Sequence, residues 1–365
     1  MTERAWWVTG AVGLLCGSFV GSGLLTVLVR RAALRVGFVA TPREDRYHRG
    51  VVPLGGGIAI FWTIALVLLV GILAVHVAPV VAPRGIGPYI EGFANRTPEL
   101  LIVLGVALLL HAVGLYDDRR RLGPGVKLLV QIAAATIAAV FADIRVELFI
   151  ESRAITTALS VVWIIVVINA FNFLDNIDGA AAGIALIVCA VLFWAAVLAG
   201  QVLVGGMALL LIGSLAGFLL FNWPPARIFM GDAGSLIVGF FVALLTLRTT
   251  YYHQDQGGGV FAVFMPLVVL AVPLYDFASV TLLRLAQGKS PFVGDTQHFS
   301  HRLRRRGLSD RQTVLTLYLA TLCTAVAGVF LFQVDLLGAV LIFAQTLMIL
   351  AIIAVFETTG GAGRR

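Results

Sequence analysis

Long runs of apolar residues, separated by short polar segments, repeat along the whole chain. A helix that spans a bilayer needs about 20 consecutive apolar residues. Eleven runs of about this length occur, near residues 5–29, 55–82, 100–116, 126–142, 155–171, 180–199, 201–221, 233–248, 260–283, 313–333 and 336–355. The pattern therefore predicts an all-α, polytopic integral membrane helix bundle with about 11 transmembrane helices.

Composition supports this fold class and excludes a water-soluble protein. The chain has 365 residues, of which 60% are hydrophobic and 12% are charged, whereas soluble domains carry about 25% charged residues. The longest polar stretch, near 284–312, is too short to fold separately. We therefore expect one integral-membrane domain over residues 1–365.

The basic residues predict how the bundle is oriented. Of the 26 Lys and Arg residues, 20 fall in one set of alternate loops and the C-terminus, and the other side has six, namely Arg4, Arg84, Arg96, Arg145, Arg153 and Arg248. The positive-inside rule places the richer side in the cytoplasm, with the N-terminus outside and the C-terminus cytoplasmic. The net charge of +7 thus indicates topology, and no nucleic-acid partner is expected.

Five carboxylates gather at span ends on the predicted cytoplasmic side: Asp117, Asp118, Asp175, Asp178 and Asp232. An Asp at membrane depth costs about 2.5–3.5 kcal/mol on insertion scales, so such residues tend to mark a function. Singly, the Asp pair could belong to a solvated loop, and Asp232 could cap a helix. Together, flanked by Gly and Asn, they suit Mg²⁺, with Mn²⁺ as a substitute, in a site that handles phosphate.

Two further segments offer groups that bind anions. The most basic loop, SPFVGDTQHFSHRLRRRGLS, contains His298, His301 and Arg302, which could bind a pyrophosphate or supply an acid near neutral pH. An earlier segment, TPREDRYHRGVVPLGGG, places Arg46 and His48 before three glycines and forms a weaker candidate for an anion clamp.

Five motifs, in order, resemble those of the polyprenyl-phosphate N-acetylhexosamine-1-phosphate transferases of glycosyltransferase family 4. They are GLYDDRRRLGPGVKLLVQ, NAFNFLDNIDGAAAG, FNWPPARIFMGDAGSL, PLYDFASVTLLR and DTQHFSHRL, and the resemblance covers about residues 36–312. It is closer to the branch that transfers GlcNAc-1-phosphate than to the branch that transfers phospho-MurNAc-pentapeptide, which stays the alternative.

The resemblance implies a reaction at the cytoplasmic face of the cytoplasmic (inner) membrane. A UDP-N-acetylhexosamine, most closely UDP-GlcNAc, gives its sugar-1-phosphate to undecaprenyl phosphate, which forms a lipid-linked pyrophosphate sugar and UMP. Such a step would begin a cell-envelope polysaccharide. Mg²⁺ is the implied cofactor, the bilayer is the implied environment, and a homodimer is left open. Both a direct displacement and a phospho-Asp intermediate fit the motifs.

The resemblance also assigns roles, residue by residue. Asp232 would be the principal Mg²⁺ ligand, and Asp117 and Asp118 would help to hold the metal or deprotonate the prenyl phosphate. The remaining implied substrate-site residues are Asp175 and Asp178 at the nucleotide sugar, Asn172 beside the catalytic cluster, Asn222 and Phe229 at uracil, His298 and His301 at the donor diphosphate or sugar, and Arg302, Arg46 and His48 at anionic groups.

The motifs depart from the family pattern at a few positions. Ser300 replaces the middle His of the usual His-x-His-His, and Asn176 stands where many members have Gly. In the early loop, Ala40 and Asp45 replace the usual Asp and Arg. We therefore expect the sugar and nucleotide pockets to differ in detail from those of other members.

One alternative belongs to another functional class, namely a cation-coupled lipid or ion transporter that uses intramembrane carboxylates. Asp276, within VPLYDFASV, is the carboxylate nearest to such a position. A transporter should hold its ionisable groups near the membrane midplane on broken helices. Because the Asp and His residues gather at one predicted face, the sequence favours the enzyme.

Overall fold

The computed structural model describes residues 3–40, 51–77, 87–146, 150–249, 260–290 and 298–358. These ranges hold fourteen α-helices: α1 (Glu3–Arg35), α2 (Gly56–Val77), α3 (Gly87–Asn95), α4 (Thr97–Arg120), α5 (Pro124–Phe141), α6 (Arg153–Leu174), α7 (Ala180–Leu198), α8 (Val202–Asn222), α9 (Asp232–Arg248), α10 (Met265–Val269), α11 (Ala271–Ala286), α12 (Phe299–Arg305), α13 (Asp310–Val329) and α14 (Leu336–Thr358). Short 3₁₀ helices cover Val260–Phe264 and Phe330–Phe332. Strands β1 (Val39–Ala40) and β2 (Val52–Pro53) pair antiparallel, with Val39 opposite Pro53.

The all-α, multi-span prediction is confirmed, and the number of candidate spans in the described residues is slightly lower than predicted. Within the described ranges, nine helices are long and apolar enough to cross a membrane, or ten if one bent pair is counted as a span. The sequence predicts eleven. The nine are α1, α2, α4, α5, α6, α7, α8, α13 and α14. Their length and apolar composition make the chain a multi-pass membrane protein.

The two other predicted spans, near 233–248 and 260–283, are not among these nine helices, each for its own physical reason. Residues 261–286 form two segments bent by 64° around Leu270. Pro273 supplies no backbone N–H and its ring crowds the carbonyl one turn earlier, which breaks a helix at this distance. Helix α9 has 17 residues, about 26 Å at a rise of 1.5 Å per residue. That length is at the lower limit for a span.

Helix α9 forms the centre of the bundle. It packs against α2, α4, α6, α7 and α8, and its side chains from Ala233 to Thr246 are buried. Glycines let neighbouring helices approach its backbone: a Cβ at Gly114 would lie 2.5 Å from the Ala233 Cα, and one at Gly239 would lie 2.6 Å from the Ile168 Cα. Such close contacts are typical of small residues in helix packing within membranes.

The outer helices expose their apolar side chains. Helices α1 and α14 carry exposed leucines and valines along much of their length, including Leu24, Leu28, Leu341 and Leu347. An apolar surface of this extent is expected only where lipid replaces water around the protein.

Candidate active site

The N-terminus of α9 is held by a carboxylate from α4. Both oxygens of Asp118 accept backbone N–H groups, from Asp232 at 2.8 Å and from Ala233 at 3.2 Å. Gly231, with φ of 71°, turns the chain into the helix, and a Cβ there would lie 2.5 Å from Oδ2 of Asp118. Asp118 therefore satisfies the free amides at the start of α9 and fixes the position of Asp232.

Asp232 accepts two side-chain donors at this helix start. Its Oδ1 accepts the Nδ2–H of Asn172 at 2.9 Å, and its Oδ2 accepts the ammonium of Lys127. The same Asn172 nitrogen also donates to the Ser235 hydroxyl at 2.8 Å. Lys127 lies 3.2 Å from Oδ2 of Asp117 as well. Two carboxylates from different helices, α4 and α9, thus share one cation.

The donor set fits a Mg²⁺ ion that one or two carboxylates hold. Mg²⁺ usually keeps several waters and completes its coordination with substrate phosphates. Asp117 and Asp232 already converge on the Lys127 ammonium, so this position accommodates positive charge. In the part of the chain that the structure describes, no group of three or more His, Cys, Asp or Glu side chains is placed to hold a metal. Substrate phosphates and water would have to complete the site.

A second group of polar residues joins the turn after α6 to the segment before α9. Asp178 Oδ2 accepts the Ala226 N–H at 2.8 Å. Asn222 accepts the Gly179 N–H and donates to the Ile228 carbonyl, both at 2.9 Å. Both side chains are buried, so they set the shape of these two segments. Any contact with a nucleotide stays a prediction for Asp178 and Asn222.

Two further predicted site residues, Asp175 and Phe229, lie on the same two segments. Asp175 is the C-terminal cap residue of α6 and is half-buried. The backbone of Phe229 pairs with that of β2 and α2, donating to Pro53 O at 2.9 Å and accepting from Gly56 N at 2.8 Å. Phe229 is half-buried, and the stacking role that the family resemblance implies for its ring stays a prediction.

His298, the residue immediately before α12, is oriented by a buried carboxylate of α11. Oδ2 of Asp276 lies 3.1 Å from Nδ1 of His298, and Oδ1 accepts the Phe299 N–H at 2.7 Å. Asp276 is 1% exposed and His298 is 6% exposed. The His298 ring also meets the Phe173 ring edge-on at 5.2 Å. Asp276 thus fixes the ring orientation and directs the Nδ1 proton, which leaves Nε2 for another partner.

The second histidine, His301, is buried beside other positive groups. Its ring centroid lies 6.2 Å from that of His298. Burial lowers the pKa of His301 to about 4, and the positive charges of Arg304 and Arg305 act in the same direction. His301 is therefore neutral near pH 7 and can both donate and accept a hydrogen bond. On the same helix, Arg302 donates to the Ser279 hydroxyl at 2.8 Å.

Comparison with known proteins identifies the family. The family model for glycosyl transferase family 4 matches residues 100–250. A Bacillus subtilis (strain 168) protein named "Probable undecaprenyl-phosphate N-acetylglucosaminyl 1-phosphate transferase" is 30% identical over 345 residues, which cover 92% of this chain and 88% of that protein. The chain belongs to glycosyl transferase family 4.

Two further bacterial proteins are also similar over most of their length. A Salmonella typhi protein named "Undecaprenyl-phosphate alpha-N-acetylglucosaminyl 1-phosphate transferase" is 28% identical over 87% of this chain and 83% of its own length. The Escherichia coli (strain K12) protein of the same name is 27% identical, with coverage of 86% and 82%.

In this family 4 chain, the C-terminal end of α6 and the turn that follows it connect Asp232 to His298 and α12. Asn172 bonds Asp232, while Phe173 contacts His298 and Asn176 bonds Ser300 on α12. The structure therefore brings the Asp117–Asp118, Asp175–Asp178, Asp232 and His298–His301 segments to one end of the bundle. Arg46 and His48 lie outside the described residues, so their predicted role is untested.

Two residues of the site were not assigned to it from the sequence. In the sequence, Lys127 counts only among the basic residues that indicate topology. Asp276 stands out only as the carboxylate nearest to an intramembrane position. A lysine inside an apolar run is costly in a membrane, and this chain has just two lysines, Lys127 and Lys289. That rarity was the available signal for Lys127. The pairing of Asp276 with His298 depends on tertiary contact across a loop and leaves no pattern in the sequence.

Proposed function

We propose that this protein transfers GlcNAc-1-phosphate from UDP-GlcNAc to undecaprenyl phosphate, which yields a lipid-linked pyrophosphate sugar and UMP. The reaction takes place at the cytoplasmic face of the cytoplasmic (inner) membrane and depends on Mg²⁺. One observation carries the proposal: at one end of a membrane bundle, Asp117 on α4 and Asp232 on α9 both pair with the ammonium group of Lys127. The names of the similar proteins support the acceptor lipid and the sugar.

The site addresses the main physical obstacle of this reaction, which is repulsion between phosphates. Two like charges 4 Å apart repel by about 4 kcal/mol at an effective dielectric constant of 20. A phosphate acceptor that approaches a diphosphate donor meets several such pairs. Cations and oriented donors must offset this repulsion before the acceptor oxygen reaches phosphorus, and in phosphoryl transfer such positioning accounts for most of the catalysis.

Asp117 and Asp232 would hold the Mg²⁺ ion in this proposal. When bound, the ion would neutralise phosphate charge and polarise the phosphorus under attack. Asn172 keeps the Asp232 carboxylate in place through its 2.9 Å hydrogen bond, and Asp118 fixes the helix that carries it. Lys127 occupies the cation position between the two carboxylates and would move toward the phosphates once a metal binds.

His298 and His301 would contact the nucleotide-sugar donor. With its Nδ1 atom held by Asp276 at 3.1 Å, His298 can direct Nε2 toward a phosphate oxygen or the leaving UMP. A protonated His298 would donate a charge-assisted hydrogen bond, which is stronger than a neutral one. His301, neutral near pH 7, would bind a neutral sugar hydroxyl more suitably than a phosphate.

A donor panel tests the proposal. The protein is purified in detergent, mixed with Mg²⁺ and undecaprenyl phosphate, and given UDP-GlcNAc, UDP-GalNAc or UDP-MurNAc-pentapeptide in turn. We expect UMP and a lipid-linked product with UDP-GlcNAc. Turnover with UDP-MurNAc-pentapeptide alone would replace the sugar assignment, and a folded sample inactive with every donor would refute transferase activity.

A further inference from the structure

A side-chain hydrogen bond joins the two segments that would line the proposed donor site, namely α12 and the turn of residues 175–178. The Ser300 hydroxyl on α12 donates to Oδ1 of Asn176, in the turn that contains Asp175 and Asp178, at 2.5 Å. These two residues are 124 positions apart in the sequence. The bond therefore links the turn to α12, which contains His301 and directly follows His298.

Both partners are held in place by their surroundings. Nδ2 of Asn176 donates to the Phe173 carbonyl at 2.5 Å, which fixes the amide plane and presents its oxygen to Ser300. Ser300 is 3% exposed, so water cannot readily replace its partner if the Asn176 side chain is removed. A buried Ser300 hydroxyl left without an acceptor is unfavourable, whereas Asn176 is only half-buried.

Other contacts of α12 lead to different elements. The Phe299 N–H bonds Asp276 and Arg302 bonds Ser279, both on α11, while Arg304 pairs with Asp310 on α13 at 2.7 Å. These contacts fix α12 against the body of the bundle. The Asn176–Ser300 bond instead fixes the distance between α12 and the Asp175–Asp178 turn, across which a donor would lie.

These are the two positions at which the resemblance to the family implies Gly and His, whereas this chain has Asn176 and Ser300. A glycine has no side chain to accept a hydrogen bond, and a serine is smaller than a histidine. In this chain the longer side chain is on the turn and the shorter one is on the helix. The hydrogen bond to the helix therefore depends on the side chain that Asn176 has and a glycine would lack.

We propose that Asn176 and Ser300 are a positioning pair that sets the spacing between the Asp175–Asp178 turn and the two histidines, and so controls binding of the nucleotide-sugar donor. The inference rests on the proposed function for the identity of that donor. Because the acceptor lipid approaches from the membrane side, the pair acts on the donor and leaves acceptor binding unchanged.

A double-mutant cycle tests the pair. Steady-state kinetics of the wild type, Asn176→Ala, Ser300→Ala and the double variant give kcat and the KM of each substrate. We expect each single variant to raise the KM for UDP-GlcNAc about tenfold, with the double variant no worse than the worse single one. The KM for undecaprenyl phosphate should stay within about twofold of wild type in all three. Thr316→Ala, which removes a hydroxyl bonded only within α13, is the matched control.

Independent effects would overturn the proposal: a double variant about 100-fold worse, as the product of two tenfold losses, means that the side chains do not act as a pair. Single variants with an unchanged donor KM, or with both KM values raised equally, would overturn it as well. If the wild type turns over no UDP-sugar, the proposed function fails. Amide hydrogen exchange then tests separately whether the Asn176–Ser300 bond holds the two segments together. Each single variant should speed amide exchange in both 175–179 and 299–305, and unchanged exchange there would overturn it.

Discussion

The carboxylate of Asp232 is the residue on which most of the site's contacts meet. It accepts hydrogen bonds from Lys127 and Asn172, and its own backbone N–H is capped by Asp118. Its charge matters for a cation, whereas its shape matters for the packing around it. A substitution that removes the charge and keeps the volume separates these two contributions.

Asp232→Asn should lower kcat by about 10²–10³-fold, as loss of one preorganised electrostatic group does in other enzymes. The remaining side-chain oxygen still accepts the Asn172 N–H, so the thermal midpoint should change little. The measurement is UMP release by the purified variant, beside Asp143→Asn as a control at an exposed carboxylate paired with Arg145. Turnover near the wild-type rate would show that Asp232 does not hold the catalytic cation.

Lys127 occupies the place of a cation between Asp117 and Asp232, so its removal should affect metal binding directly. In Lys127→Met the two carboxylates lose their shared ammonium, and we expect Mn²⁺ to bind about tenfold more tightly because one competing positive charge is gone. Turnover should fall at the same time. Mn²⁺ titration followed by electron paramagnetic resonance measures the affinity, with Lys289→Met, which changes the other lysine, as control. An unchanged Mn²⁺ affinity would contradict the shared cation site.

At the residue scale, the sequence could predict the positions of the carboxylates where they leave a local pattern. Asp117, Asp118, Asp175, Asp178 and Asp232 stand at predicted helix ends, which is how the sequence grouped them. Their separate tasks could not be read in this way. That Asp118 binds backbone amides of α9, for example, depends on the approach of two helices 114 residues apart in the chain.

At the scale of elements, α9 depends on close approach by its neighbours. Gly57 on α2 and Gly114 on α4 both contact the first turn of α9, where any side chain would meet backbone atoms. The glycines therefore determine how deeply Asp232 is held between α2 and α4. The sequence predicted an apolar run here, but its central position in the bundle arises from packing alone.

Gly114→Ala should displace the start of α9, because the new Cβ would lie 2.5 Å from both Cα and N of Ala233. Overpacking of this kind typically costs about 1–3 kcal/mol of stability. We expect a lower thermal midpoint together with a reduced kcat/KM. Gly105→Ala, on the same helix with nothing within 4 Å of the added Cβ, is the matched control and should behave as the wild type. Equal behaviour of the two variants would contradict the packing argument.

The bent pair α10 and α11 shows where an element-level prediction was incomplete. A run of apolar residues near 260–283 fits a single span by hydropathy, yet the structure bends it by 64°. Pro273 was visible in the sequence, but the direction of the bend depends on packing against α13 and α6. The bend matters for the site because α11 carries Asp276 to His298.

At the scale of the whole molecule, the basic residues predict which end of the bundle faces the cytoplasm. Glu151→Cys and Lys289→Cys test this orientation in a background without Cys16, Cys189 and Cys323. An impermeant maleimide applied to intact spheroplasts should label Glu151→Cys at once and Lys289→Cys only after permeabilisation, because the positive-inside rule places them on opposite sides. The reverse labelling order would contradict both the orientation and a cytoplasmic active site.

The fate of the donor's β-phosphate tests the central claim most directly. Purified protein is incubated with Mg²⁺, undecaprenyl phosphate and UDP-GlcNAc labelled with ³²P at the β position, and the lipid and water phases are separated. Transfer of GlcNAc-1-phosphate predicts that the label moves into the lipid phase in equal amount to the UMP released. Label that stays in the water phase as UDP, with only the sugar on the lipid, would contradict the account, as would the absence of any lipid-linked product.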